Sequence, residues 1–133
     1  MLRIADTGLL AAALDRDDVH HSWAASELQA ATAPFVTCEP VLVELAFVLN
    51  DATAGLRMLV RGDLLLSFDL ASHKDRVLQL LEKYSDRQMD LADACIVAMT
   101  EMEDRCQVWT TDETDFRVYR RHSRQVIPCS FPP

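Results

Sequence analysis

The stretch "LRIADTGLLAAAL" (Leu2 to Leu14) reads as a short β-strand that turns directly into a helix, with an aspartate, Asp6, at the junction. Strand-to-helix junctions then recur along the chain. After "DRDD" a second helix runs through "HHSWAASELQAA" (His20 to Ala31), and "PFVT" (Pro34 to Thr37) is a second strand. Pro40 suits the first turn of a helix in "PVLVELAFVLN". A further helix, "AGLRMLV", ends near Gly62, a residue fitted to a helix stop. "DLLLSF" (Asp63 to Phe68) is a third strand, followed by the amphipathic helix "LASHKDRVLQLLEKYS" with Asp69 as its cap. A helix follows in "MDLADACIVAMTE" (Met89 to Glu101). "CQVWT" (Cys106 to Thr110) is a fourth strand and "QVIP" (Gln125 to Pro128) a short fifth.

Strands alternating with helices predict an α/β fold: a three-layer α/β/α sandwich around a mainly parallel sheet of about five strands. The 133 residues suit a single domain spanning residues 1–133. The longest apolar runs are broken by acids and fall short of a bilayer span, and strand pattern begins at residue 2, where a signal peptide would lie. Cys38, Cys95, Cys106 and Cys129 are dispersed, with no CxxC pair. They are expected to be free thiols, as in a reducing cytoplasm.

The net charge of −8, from 21 acids against 13 Lys and Arg, argues against a general nucleic-acid binder. Its distribution qualifies that. "RVYRRHSR" holds Arg117, Arg120, Arg121 and Arg124 with His122 and no acid. Such a run is either a solvated helix face or a strip that contacts phosphates.

In open α/β sheets, ligands bind beyond the carboxyl ends of the strands, where the strand order reverses. Asp6 follows the first strand, Glu44 lies on the helix after the second, and Asp112 follows the fourth. Asp90 and Asp93 open the helix leading into the fourth. Singly, Asp6, Asp90, Asp93, Asp112 and Asp115 all suit helix starts, where negative charge is favourable. Glu44 does not: it sits mid-helix between "VLV" and "LAFVL", so it is expected to be partly buried and to need a partner. Several acids sharing one crevice repel one another unless a cation joins them, and oxygen-only ligands select Mg²⁺ or Mn²⁺. His20, His21, His73 and His122 show no metal-ligand spacing, and no nucleophile–base arrangement or glycine-rich phosphate loop is present.

Four pieces in this order, "IADTGLLAAAL", "TCEPVLVELAFVL", "YSDRQMDLADACIVAMTE" and "VWTTDETDFRVYRR", resemble the PIN domain family and, within it, the VapC ribonuclease toxins of toxin–antitoxin pairs. The resemblance implies a sheet with its first and fourth strands adjacent. It also implies a Mg²⁺- or Mn²⁺-dependent endoribonuclease that leaves 5′-phosphate and 3′-hydroxyl ends. Asp6, Glu44, Asp93 and Asp112 would hold or position metal, with Asp90, Asp115 and Thr110 in support; Asp112 and Asp115 are interchangeable at this level. The arginine run would meet the RNA backbone. Expected partners are an RNA, a VapB-like antitoxin and a second copy of the chain, and Trp23 and Leu28 are candidates for lining an apolar groove. The alternative is a non-catalytic binding module. A phosphoacceptor receiver is disfavoured, because Cys106 to Pro133 contains no lysine.

Overall fold

The computed structural model describes residues 1–133. In chain order the elements are β1 (Leu2–Ala5), α1 (Thr7–Leu14), α2 (His21–Ala30), β2 (Phe35–Thr37), α3 (Glu39–Leu49), α4 (Ala54–Arg61), β3 (Leu64–Leu66) and α5 (Leu70–Lys83). A 3₁₀ turn (Ser85–Arg87) leads to α6 (Leu91–Thr100), then β4 (Cys106–Trp109), α7 (Glu113–Phe116), β5 (Arg120–Arg121), β6 (Gln125–Val126) and β7 (Cys129–Ser130). Five strands form one sheet in the order β3-β2-β1-β4-β7, with every pairing parallel. The three-layer α/β/α sandwich expected from the sequence is the fold observed.

Side chains alternate between faces along a strand, so neighbours that are both buried show that both faces are covered. Ile4 and Ala5 in β1, Phe35 and Val36 in β2, and Val108 and Trp109 in β4 are all buried. Helix α6 is buried on all sides from Ala94 to Thr100, as a helix packed between layers requires. Its small residues Ala94, Cys95 and Ala98 permit that close packing. No helix is long and apolar enough to cross a membrane. The four cysteines are free; three are buried and Cys129 is half-buried.

Several local expectations hold. Pro40 lies in the first turn of α3, and Gly62 ends α4 in the left-handed region at φ 81°. The fifth strand needs correction. Gln125–Val126 does not join the main sheet but pairs antiparallel with Arg120–Arg121 in a separate ribbon. The fifth strand of the sheet is Cys129–Ser130, alongside β4. Pro128 still contributes its carbonyl, which accepts from the Val108 N–H at 2.9 Å, and Thr110 N–H donates to Ser130 O at 3.2 Å. The ribbon turns through His122, Ser123 and Arg124, with His122 and Ser123 at positive φ (48° and 68°) and Arg124 N–H donating to Arg121 O at 3.2 Å, as in a type I′ turn with one extra residue before the pair Arg121–Gln125. So "RVYRRHSR" is a hairpin rather than a helix face.

The strand order reverses between β1 and β4. After β1 the chain moves outward to β2 and β3, then returns to the other side of β1. The carboxyl ends of β1 and β4 therefore open onto a switch point. Thr37 Oγ1 ties β2 to that edge by donating to Ala5 O at 2.8 Å, and Asp6 N–H donates to Trp109 O at 3.0 Å.

Candidate active site

A crevice of about 520 Å³ opens at this switch point, and its lining includes Asp6, Glu44, Asp90, Asp93, Asp112 and Asp115. All six acids singled out in the sequence thus meet in one place, though they come from the ends of β1 and β4 and from α3, α6 and α7. Each is held differently.

Asp6 begins α1 but makes no capping bond; its carboxylate is buried and takes a 2.7 Å hydrogen bond from Thr110 Oγ1. Thr110 Oγ1 also accepts from Asp112 N–H at 3.0 Å, so one hydroxyl steadies the acids after both central strands. Burial pushes the Asp6 carboxyl up to about 6, against the lowering effect of that bond. Asp90 does cap α6: its Oδ1 accepts from Asp93 N–H at 2.8 Å. Asp93, one turn in, receives a 3.0 Å bond from Tyr119 Oη. Its carboxyl is pushed to about 8, first by burial and then by the charges of Asp6 and Asp90. Asp112 caps the short α7 through Asp115 N–H at 3.1 Å, and burial raises its carboxyl too.

Glu44 is half-buried, with its carboxyl pushed to about 7 by burial, then by Asp90 and Asp6. Its surround is less enclosed than its apolar neighbours suggest, because Val43, Phe47 and Val48 are exposed. Helix α3 buries only a narrow stripe, Val41 and Leu45, and Glu44 lies beside it.

One carboxylate oxygen from each of Asp93, Asp112 and Asp115 lies within 4.8 Å of the others. This trio is the tightest group, so both members of "TDETD" face the cluster. Hard divalent ions favour such all-oxygen donor sets. The raised carboxyls are what acids held away from water, and crowded further by one another's charge, should show. Residues and donor chemistry therefore fit Mg²⁺ or Mn²⁺.

Sequence reading missed Arg87, the only Arg or Lys in the crevice lining, whose Nη2 lies 2.9 Å from Asp115 Oδ1. It also missed Tyr119, Gly8 and Thr111. Gly8 comes so close to Thr111 that an added Cβ would lie 2.0 Å from Oγ1. The "DTG" run was the available signal for Gly8. Arg87 and Tyr119 had none, since neither sits at a strand end.

The arginine run divides. Arg121 is buried, and its Nη groups donate to the carbonyls of Thr100, Glu103 and Asp104, so it serves the fold. This corrects its expected contact with RNA: no face of the guanidinium is left toward solvent for a phosphate. Arg117 is exposed, pairs with Glu113 at 2.6 Å and lies over the Phe131 ring at 5.0 Å. Arg120 is half-buried and donates to the carbonyls of residues 117, 118 and 119, and Arg124 is exposed.

A PIN domain family model matches residues 3–122. The chain belongs to the PIN domain family. Among solved structures, it is similar to Mycobacterium tuberculosis VapC20, described as a sarcin–ricin loop cleaving toxin. That likeness has a TM-score of 0.74 at 18% identity and covers 95% of this chain and 99% of VapC20. It is a likeness of fold. No curated protein matches the sequence. As a PIN domain, the chain has the adjacent β1 and β4 that the resemblance implied.

Proposed function

We propose that this PIN domain is a metal-dependent endoribonuclease, the toxin of a toxin–antitoxin pair. The observation that carries the reading is the meeting of Asp6, Glu44, Asp93, Asp112 and Asp115 in one crevice at the β1–β4 switch point. Asp93, Asp112 and Asp115 would hold Mg²⁺ or Mn²⁺, with Asp6 and Glu44 beside them. When bound, the ion supplies Lewis acidity at the phosphate and lowers the pKa of water.

The chain's own residues do the remainder. Thr110 aims Asp6, Asp90 fixes the first turn that carries Asp93, and Tyr119 orients the Asp93 carboxylate. Glu44, half-buried in the crevice lining with Asp6 and Asp90, is placed to take a proton from an attacking water. Arg117, Arg120 and Arg124 are the proposed RNA backbone contacts.

The proposed substrate is RNA, and the sarcin–ricin loop that VapC20 is described as cleaving is one sequence to test first. An antitoxin and a second copy are the proposed partners. Val43 and Phe47 support this by lying 72% and 87% exposed on α3, next to Glu44. The test is cleavage of purified RNA with Mn²⁺ by the wild type, Asp6→Asn and Asp93→Asn. The proposal expects cleavage by the wild type and its loss in both variants; undiminished cleavage by either variant sinks the site assignment. Stable RNA binding without any cleavage favours the non-catalytic module instead.

A further inference from the structure

An RNA phosphate entering this crevice meets a concentration of like charge. Asp6, Glu44, Asp90, Asp93, Asp112 and Asp115 all line it, and the one Arg or Lys among them is Arg87. Arg87 comes from the 3₁₀ turn before α6, where Gln88 at φ 56° swings the chain toward the Asp90 cap.

The guanidinium is only partly committed. Nη2 pairs with Asp115 Oδ1 at 2.9 Å, Nη1 has no protein acceptor, and the buried Nε–H has no partner. The bridge to Asp115 uses one nitrogen of the fork and leaves Nη1 for an incoming anion. Asp115 in turn belongs to the trio whose oxygens lie within 4.8 Å of one another. Asp115 is therefore the anion that separates the guanidinium from any divalent cation held by the trio. Nη1 remains as a charged N–H donor for a phosphodiester oxygen that enters the crevice.

We infer that Arg87 contacts the RNA phosphate at the reacting centre, its free Nη1 taking a non-bridging oxygen while Asp115 holds the guanidinium through Nη2. Arg87 would thus be a catalytic residue from outside the acidic set, stabilising charge that grows on the phosphate during attack. The inference rests on the nuclease reading.

The experiment compares wild type, Arg87→Ala and Arg87→Lys on an RNA that the wild type cuts, at saturating Mn²⁺. Circular dichroism checks the fold, and the Mn²⁺ dependence of Tm is measured without RNA. Arg87→Ala should lower kcat/KM by about 100-fold. Its Mn²⁺ midpoint should stay unchanged or fall to lower Mn²⁺, since a competing cation has gone. Arg87→Lys should recover part of the rate but not all, having charge without the fork. Arg87→Ala activity within about twofold of wild type overturns the inference. So does a Mn²⁺ midpoint that weakens in step with activity, which would make Arg87 a mere prop for Asp115. Wild type that cuts no RNA with Mn²⁺ removes the nuclease reading itself, and is recognised before any variant is made.

Discussion

Thr110 Oγ1 and Asp6 Oδ2 are joined by a 2.7 Å hydrogen bond that crosses from the end of β4 to the end of β1. Both residues are buried, so the bond partly offsets the cost of keeping a carboxylate out of water. Thr110→Val keeps the shape but leaves Asp6 without its hydroxyl donor. It should cost about 1–3 kcal/mol in urea unfolding at pH 8 and lower RNA cleavage, while Thr110→Ser should retain most of both. Equal stability of wild type and Thr110→Val at pH 8 would show that the bond carries no weight.

The raised carboxyls of Asp6, Glu44 and Asp93, at about 6, 7 and 8, give the metal-free protein a pH signature. Each group binds its proton more tightly folded than unfolded. Its stabilising effect is thus complete below the unfolded pKa near 4 and is lost as pH rises through the folded value. With EDTA present, Tm should fall by several degrees between pH 5.5 and pH 8.5, at about 4 °C per kcal/mol for a domain of this size. A Tm that rises over that interval contradicts the crowding of these acids.

Divalent ions should reverse that trend, because they bind the deprotonated carboxylates. At pH 8, Mn²⁺ at a hundredfold excess over its Kd should add about 2.7 kcal/mol of stability. The gain should shrink toward pH 5.5 as the acids protonate. A thermal melt indifferent to millimolar Mn²⁺ at pH 8 argues against the site.

Asp93→Asn separates stability from function. Removing one of the crowded charges should raise the metal-free Tm at pH 8 by about 2–4 °C, while cleavage and the Mn²⁺ response are lost. Asparagine can still accept from Tyr119 Oη, so a fall in Tm would mean that the charge itself is needed for packing.

Gly8→Ala tests the close approach of α1 to the segment after β4. The new Cβ would meet Thr111 Oγ1 at 2.0 Å and Thr111 Cβ at 3.0 Å, so Thr111 must move as a whole. The expected cost is about 1–3 kcal/mol in urea unfolding, with cleavage falling alongside because Thr111 lines the crevice. An unchanged denaturation midpoint would mean that Thr111 has room to yield.

The readable parts of the fold were those with a period or a punctuation mark. Gly62 and Pro40 announced helix ends, and the strand–Asp–helix junction at Asp6 recurred at Asp112 strongly enough to set the order of the elements. The last strands were not readable in this way. Gln125–Val126 and Cys129–Ser130 are two residues each, too short to show alternation; the first takes its place from the turn that pairs it with Arg120–Arg121, the second from the groups β4 leaves unpaired. At the site, acids were legible through their joint placement around strand ends, with Glu44 alone standing out by its apolar neighbours. The arginines were not, because charge says nothing about acceptors. Arg121 reads as a free cation until the carbonyls of α6 and the following turn come to it, and Arg87 reads as a surface residue until Asp115 does.

Because β4 closes the crevice against β1, the two ends of the polypeptide must meet before any of this chemistry exists. A ribosome making the chain releases Asp6 well before Asp112. A chain in which β4 has not yet docked beside β1 therefore holds Asp6 apart from Asp112 and Asp115, with the acidic crevice unassembled.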